Sequence, residues 1–197
     1  ARRLAGGRLA DEVTAALVEL AFPGAAFGVE LEPAPIDEAG GDAVSFMLAP
    51  NPGEPSRPLA RIASGGEVSR LALALKGVLA RADETPTLVF DEVDAGIGGR
   101  AADRVGSSLW RLARRHQVIC VTHLPQIATY ADAHLRIHKR ERGGRTVTEV
   151  EALAGDERRR ELALMLGGSE SDTGALAAAA ELLERAGRLR TTAEIVG

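Results

Sequence analysis

Three short motifs hold the residues of this chain whose types and spacing could perform chemistry. In chain order they are Ser64-Gly65-Gly66-Glu67, Leu88-Val89-Phe90-Asp91-Glu92 and Val121-Thr122-His123. In the first, Ser-Gly-Gly opens a helical pattern, so free N–H groups and the helix dipole favour binding of an anion. The ordinary alternative is a capping box, in which Ser64 and Glu67 only satisfy the first turn of the helix.

Two carboxylates follow an apolar run in the second motif. This order places Asp91 and Glu92 at the carboxyl end of a strand, where ligands of parallel α/β sheets bind. The first acid would hold Mg²⁺, directly or through water, and the second would orient and deprotonate an attacking water. The alternative is a pair of solvated acids where a strand leaves its sheet.

A histidine ends the next apolar run of the chain. His123 precedes Leu124-Pro125, at a strand end where it could contact a γ-phosphate or the attacking water. The alternative is a histidine that caps a helix or packs in the core. Because all three motifs occur in a fixed order, and two of them end consecutive parallel strands, together they indicate the second half of a nucleotide-hydrolysing site.

The first half of such a site is absent from the sequence. A phosphate-binding loop of the form G-x-x-x-x-G-K-[ST] needs a Gly-Lys pair. The two lysines, Lys76 and Lys139, follow Leu75 and His138 instead. We therefore expect that this polypeptide alone does not hold or hydrolyse ATP, and that its function belongs to a larger assembly.

Hydrophobic periodicity predicts the elements that position these motifs. Strand, helix and strand between residues 87 and 122 imply a right-handed crossover and a parallel pair of buried strands. The stretch 32–42 is rich in proline and acid and predicts a connection between two strands. The predicted helices are 2–20, 66–81, 100–115, 156–166 and 172–189, and the predicted strands are 27–31, 43–48, 87–90, 117–122, 133–139 and 146–152.

Composition limits the functions that the chain can have. A net charge of −4 gives no global attraction to nucleic acid or to an anionic membrane. The single cysteine, Cys120, cannot form an intrachain disulfide, which favours a reducing cytoplasm. No apolar stretch is long enough to span a bilayer, and no signal peptide is visible. The chain begins Ala-Arg-Arg without Met, so we expect an excised fragment.

The three motifs resemble those of the ABC ATPase superfamily. Ser64-Gly65-Gly66-Glu67 is similar to its signature motif and Asp91-Glu92 to its Walker B motif. Asp94 resembles its D-loop aspartate, and His123 resembles its switch histidine. The resemblance implies ATP and Mg²⁺ as cofactors, with catalytic roles for Glu92 and His123, a metal-binding role for Asp91, and nucleotide contacts by the signature residues and Asp94.

Within that superfamily the motif sequences resemble those of the RecN family, the bacterial SMC-like proteins of DNA double-strand break repair. The carrying patterns are Ser-Gly-Gly-Glu-x-Ser-Arg, Asp-Glu-Val-Asp-x-Gly-Ile-Gly-Gly and Val-Thr-His-Leu-Pro-Gln, within a resemblance that runs from about residue 41 to 183. It implies an α/β fold, the C-terminal lobe of an ABC/SMC-type ATPase head, with a mostly parallel sheet flanked by helices and a terminal hairpin.

The same resemblance implies a domain division and partners. Residues 1–21 would be the end of a coiled-coil arm, and residues 22–197 the head lobe. An ordinary amphipathic first helix fits the periodicity of residues 1–21 equally well. The implied partners are an N-terminal lobe of the same protein that supplies the Walker A loop, a second head in a homodimer, and DNA, without a membrane. The implied location is cytoplasmic and nucleoid-associated.

Two other readings stay open from the sequence. One is a head lobe of a chromosome-organising SMC protein, and the sequence His-Leu-Pro-Gln argues against it. The other is a non-catalytic dimerisation module, against which the intact Asp91-Glu92 pair argues. Two charged faces are interpreted as solvated: an arginine stripe on the helix 100–115, and the strand face that carries His134, Arg136 and His138.

Overall fold

The computed structural model of the chain describes residues 1–61, 65–142, 144–169 and 171–196, and the side chains as far as residue 192. The described chain forms two compact units, Ala1–Val121 and Thr122–Gly197. Ser64 lies outside the described residues, so its predicted roles as helix cap and anion ligand stay predictions.

The first unit begins with a helix packed on an antiparallel sheet. Helix α1 (Arg2–Glu19) buries Val13 and Leu17 completely and contacts the following strand β1 (Ala26–Asp37). Strand β1 pairs antiparallel with β2 (Gly40–Ala49), and β2 pairs with the short β3 (Arg57–Pro58), which leads into a 3₁₀ turn at Leu59–Arg61. Because α1 packs on the sheet, its apolar seam is part of the core of this unit. Whether it continues as a coiled coil stays a prediction.

The proline-rich stretch does not form the connection predicted for residues 32–42. Strand β1 continues to Asp37 and β2 starts at Gly40, so the hairpin is longer than predicted. Its register is regular from Ala26 to Pro33 and irregular between Pro33 and Asp37. The prolines are accommodated because β1 is the edge of its sheet, where a residue without an N–H loses no partner strand.

The motif-bearing part of this unit alternates helix and strand. Its elements are α2 (Gly65–Leu79), β4 (Thr87–Phe90), α3 (Gly99–Ala113) and β5 (Gln117–Cys120). Strands β4 and β5 pair in parallel, with Phe90 opposite Cys120, as strand-helix-strand order predicted. Each of these four elements lies within two residues of its predicted position.

The parallel pair is buried on one face only. Leu88 and Phe90 are buried, whereas Val89 is 67% exposed and its register partner Ile119 is 47% exposed. Cys120, expected in a buried strand, is half-buried. The prediction of two fully buried strands was therefore wrong for this chain, since no described element covers the second face.

The second unit contains a hairpin and three helices. A short helix α4 (Pro125–Ala128) precedes the antiparallel strands β6 (His134–Arg142) and β7 (Arg145–Leu153). Helices α5 (Gly155–Met165) and α6 (Thr173–Val196) follow and contact each other. Their core consists of Ala128, Leu162, Ala163 and Ala179, with partly buried neighbours around it.

The face of the hairpin that carries Arg136 was predicted to be exposed, but the opposite face is exposed instead. Leu135 and Ile137 are exposed, while Arg136 on the other face is half-buried and forms ion pairs with Glu151 at 2.6 Å and Glu161 at 3.3 Å. Since Glu161 belongs to α5, this helix covers the charged face. Alternation correctly identified two faces, but it could not show which one a helix would cover.

The mixed α/β class and the hairpin after the second parallel strand are confirmed. Within the described residues, however, parallel pairing is confined to β4 and β5, and the three-stranded sheet is antiparallel. "Mostly parallel" thus describes one strand pair and not the whole fold. The described helices include none with the length and apolar character needed to cross a membrane.

Candidate functional site at the end of strand β4

The acidic turn, defined as residues 91–95, follows directly after strand β4. Asp91 and Glu92 are exposed, whereas Asp94 is 5% exposed. The backbone N–H of Glu92 donates to Oδ1 of Asp91 at 2.9 Å, and the N–H of Ala95 donates to the carbonyl of Glu92 at 3.0 Å. Glu92 has φ of +56°, a left-handed conformation that costs about 1–2 kcal/mol for a residue with a Cβ.

The two glycines of the first motif lie against this turn. A Cβ added at Gly65 would collide with the carboxylate Oε2 of Glu92. One added at Gly66 would lie 2.7 Å from the Cβ of Ala95 and 3.0 Å from the carbonyl oxygen of Glu92. Close approach therefore requires glycine at position 66, whereas at Gly65 the neighbouring atoms belong to the end of the flexible Glu92 side chain. The structure brings the first and second motifs together within one unit.

Two side chains to which the sequence analysis assigned no role bind the same turn. Ser69 Oγ donates to the carbonyl of Asp91 at 2.6 Å. Arg70 Nη1 donates to the carbonyl of Ala95 at 2.7 Å and to that of Val93 at 3.3 Å. Both come from α2, so the helix that carries the signature residues also fixes the backbone of the acidic turn. The signal in the sequence was the pattern Ser-Gly-Gly-Glu-x-Ser-Arg, which ends on these two residues.

The charge of Arg70 is held in a buried place. Its side chain is 6% exposed, and its guanidinium carbon lies 5.2 Å from the ring centroid of Phe22. Burial lowers the pKa of Arg70, and the nearby charges of Glu67 and Asp94 oppose that shift. Glu67 therefore acts electrostatically on Arg70, a role that the capping-box pattern did not predict.

Negative charge gathers near the ends of the two parallel strands. Burial, followed by the charges of Asp94 and Asp91, raises the pKa of the Cys120 thiol to about 12. A second anion is therefore disfavoured here, and a cation is favoured.

The donor set at the acidic turn fits a shared magnesium site. Among the described residues, no group of three or more His, Cys, Asp or Glu side chains is placed to hold a metal ion by itself. Mg²⁺ is commonly held by one or two carboxylates together with substrate phosphates and waters. An exposed single carboxylate such as Asp91 matches that pattern, in which the remaining ligands come from the substrate.

His123 lies in the second unit and is exposed. The N–H of Leu124 donates to Oγ1 of Thr122 at 3.0 Å, and Pro125 occupies the first position of α4. Helix α4 thus starts two residues after His123 and fixes the direction of the chain there. The structure describes His123 in this local setting of the second unit.

Comparison with known proteins relates the whole chain to one group of repair proteins. The chain is 47% identical over 199 residues to DNA repair protein RecN of Streptomyces coelicolor, covering 94% of the chain and 35% of that protein. It is 48% identical over 207 residues to DNA repair protein RecN of Mycobacterium leprae, with the same coverage. The chain therefore spans about a third of the length of these curated relatives. No family model matches it.

Solved structures identify the fold. The Smc head domain with a coiled coil and joint from Pyrococcus yayanosii aligns with a TM-score of 0.58 and 26% identity, over 82% of this chain and 29% of that one. A Smc head domain from Pyrococcus furiosus aligns with a TM-score of 0.54 over 74% of this chain and 34% of its own. At 24% identity, the second likeness concerns the fold alone.

The fold, together with the acidic turn against the start of α2, is that of an SMC-type ATPase head lobe. Within that class the chain is RecN-like, since the resemblance to the RecN family is confirmed over 94% of its residues.

Proposed function

We propose that this chain is the C-terminal lobe of the ATPase head of a RecN-like DNA repair protein. Residues 65–67 and Ser64 contact the nucleotide held by a second head, and Asp91 holds Mg²⁺. The bound Mg²⁺ neutralises charge on the phosphates. Glu92 orients and deprotonates the attacking water, Asp94 contacts the nucleotide from the D-loop, and His123 contacts the γ-phosphate.

One observation supports this proposal above the others: the packing of Gly65 against the Glu92 carboxylate. A helix N-terminus favours an anionic group, and a carboxylate next to it can act on a water beside that group. Two motifs that lie 25 residues apart thereby form one surface, which a solvated acid pair or a simple helix cap would not require.

The phosphate-binding loop must then come from the N-terminal lobe, and two exposed apolar sheet faces favour such a partner. In the first unit this face contains Val89, Ile119 and Val121, and in the second it contains Leu135, Ile137 and Val150. Val89 is opposite Ile119, and Ile137 is opposite Val150, so each face is contiguous. We assign both faces to contact with the N-terminal lobe of the same protein. Parallel strands of α/β folds are normally covered on both faces, and exposed apolar side chains grouped on the antiparallel hairpin mark an interaction site.

The test uses the full-length protein with the substitution Glu92→Gln. It should bind ATP normally while hydrolysis slows by about two or more orders of magnitude, as expected for loss of a general base. It should also accumulate head dimers in ATP, because the engaged state forms and its exit step is blocked. Steady-state turnover and light scattering after gel filtration measure the two effects.

The matched control is Glu84→Gln, at another exposed acid of the same unit. That variant should keep wild-type turnover and should not accumulate dimers. Near-normal hydrolysis by Glu92→Gln would remove the proposed role of Glu92 and leave an interaction module as the better reading.

A further inference from the structure

We propose that Arg70 is a positioning residue for the hydrolysis assigned above, because it fixes the turn that aims the Glu92 carboxylate. The inference rests on the proposed function for its effect on turnover. The hydrogen bonds from Ser69 and Arg70 to the acidic turn support the inference, and they are present in the structure whether or not the chain takes part in hydrolysis.

Every carbonyl of the acidic turn has a defined donor. Those of Glu92 and Asp94 accept from the main-chain N–H groups of Ala95 at 3.0 Å and of Ile97, just after the turn, at 3.3 Å. The other three, at residues 91, 93 and 95, accept from side chains of α2. Main-chain N–H groups thus serve two of the five carbonyls, and Ser69 and Arg70 serve the other three.

The conformation of Glu92 explains why outside support is needed. A residue with positive φ is held only where its surroundings over-determine it. Ser69 fixes the peptide before Glu92 through the Asp91 carbonyl, and Arg70 fixes the far side of the turn through Val93 and Ala95. Without Arg70, the turn would relax toward ordinary φ values, and the carboxylate would leave its place beside Gly65.

Arginine suits this position better than lysine would. Its flat guanidinium lies over the ring of Phe22 while one nitrogen reaches two carbonyls. An ammonium is compact and more strongly hydrated, and it lacks the planar fork. Arg70→Lys therefore keeps the charge beside Glu67 and Asp94 while weakening the hold on the turn.

The test compares three variants of the full-length protein. Arg70→Lys and the milder Ser69→Ala should each lower kcat, by about tenfold or more for Arg70→Lys, with KM for ATP unchanged within about twofold. Amide exchange should accelerate at residues 91–97 and stay near wild type in α1. Arg81→Lys is the matched control: it makes the same change at an exposed arginine of the same unit, so kcat and exchange at residues 91–97 should stay near wild type.

Each outcome has a distinct meaning. Faster exchange at residues 91–97 with unchanged kcat would overturn the positioning role. A parallel fall of kcat, of ATP affinity and of melting temperature in Arg70→Lys and Ser69→Ala would reduce Arg70 to a general core residue and would also overturn it. Absence of hydrolysis by the wild-type protein would instead reject the proposed function, and exchange at residues 91–97 would still show whether Arg70 holds the turn.

Discussion

Two arginines, one in each unit, hold a turn of the chain by the same means. Arg70 donates to the carbonyls of Val93 and Ala95. In the second unit, Nη2 of Arg158 lies 3.1, 3.1 and 2.8 Å from the carbonyl oxygens of Ala128, Thr129 and Ala131, at the end of α4. Burial lowers the pKa of both guanidinium groups. Neither buried Nε has a hydrogen-bond partner within the described residues.

The turns that they hold differ in strain and in the number of supports. Outside glycine, positive φ occurs in the described chain at Ala21 and Glu92, so the turn held by Arg70 includes such a residue. That turn has further support from Ser69 and from the close approach of Gly66. The turn after α4 has ordinary φ values. The difference teaches that Arg158 stabilises its unit, whereas Arg70 additionally maintains a strained geometry.

The largest expected effect on stability is at Arg158. Arg158→Met should lower the unfolding free energy of the second unit by about 3 kcal/mol, because several carbonyls lose a charged donor at once. Hydrogen exchange of α4 and α5 would measure it, with Arg160→Met at a neighbouring exposed position as the control. If the amides of α4 stay protected from hydrogen exchange in the Arg158 variant, Arg158 does not hold its turn as Arg70 is proposed to do.

A smaller effect tests the extra support in the first unit. Gly66→Ala places a Cβ 2.7 Å from that of Ala95 and should cost about 2 kcal/mol, since backbone on both sides must shift. Gly77→Ala in the same helix meets nothing within 4 Å and should stabilise by up to about 1 kcal/mol. Urea unfolding followed by Trp110 fluorescence compares them. Equal effects at the two glycines would show that the acidic turn is not packed tightly against α2.

The smallest expected effect concerns the ion pair between Lys76 and Asp83. Unlike the hydrogen bonds of the two arginines, this pair is expected to lose its contribution to stability at low pH. Lys76 Nζ lies 2.6 Å from Asp83, and hydrogen bonds from Lys76 and then Thr85 hold the pKa of Asp83 well below its usual range. A lowered folded pKa gives stability that is complete above the unfolded value and is lost as pH falls. Asp83→Asn should therefore lose stability at neutral pH, and its disadvantage should shrink below about pH 4.

Urea midpoints between pH 2 and 7 measure this difference, with Glu84→Gln as the control. Guanidinium groups stay charged throughout that range, so any pH dependence in the contribution of Arg70 comes from the acids beside it, Glu67 and Asp94. If the urea midpoint of Asp83→Asn falls with pH as steeply as that of wild type, the loss of stability in acid comes from groups other than Asp83.

Sequence patterns predicted most of the elements around the site. Helix α3 was predicted because Ala102, Val105, Leu109 and Leu112 recur at helical spacing, and all four are buried. On α2 the pattern was less exact. Val68, Leu71, Leu75 and Leu79 recur at helical spacing on one side, but Val68 and Leu79 are exposed, while Arg70 is buried. Periodicity identifies a helix, but tertiary contacts decide which neighbouring positions are covered.

The order of the motifs predicted that residues 64–67 and 91–94 act together, and the packing of Gly65 and Gly66 on the acidic turn agrees with that interpretation. The sequence could not predict the bonds from Ser69 and Arg70, because they end on backbone carbonyls, which have no side-chain identity. Nor could it predict the left-handed Glu92, since nothing in an acidic residue type specifies positive φ.

The thiol at the end of β5 has a practical consequence for distance measurements by site-directed labelling. Because burial raises the pKa of Cys120 to about 12, this residue is almost entirely in the thiol form at pH 7, and alkylating probes react with the thiolate. It is also the single cysteine of the chain. A spin label or fluorophore could therefore be attached at one introduced surface cysteine without first replacing the native one. The native residue would stay silent while the label reports on the approach of a second lobe.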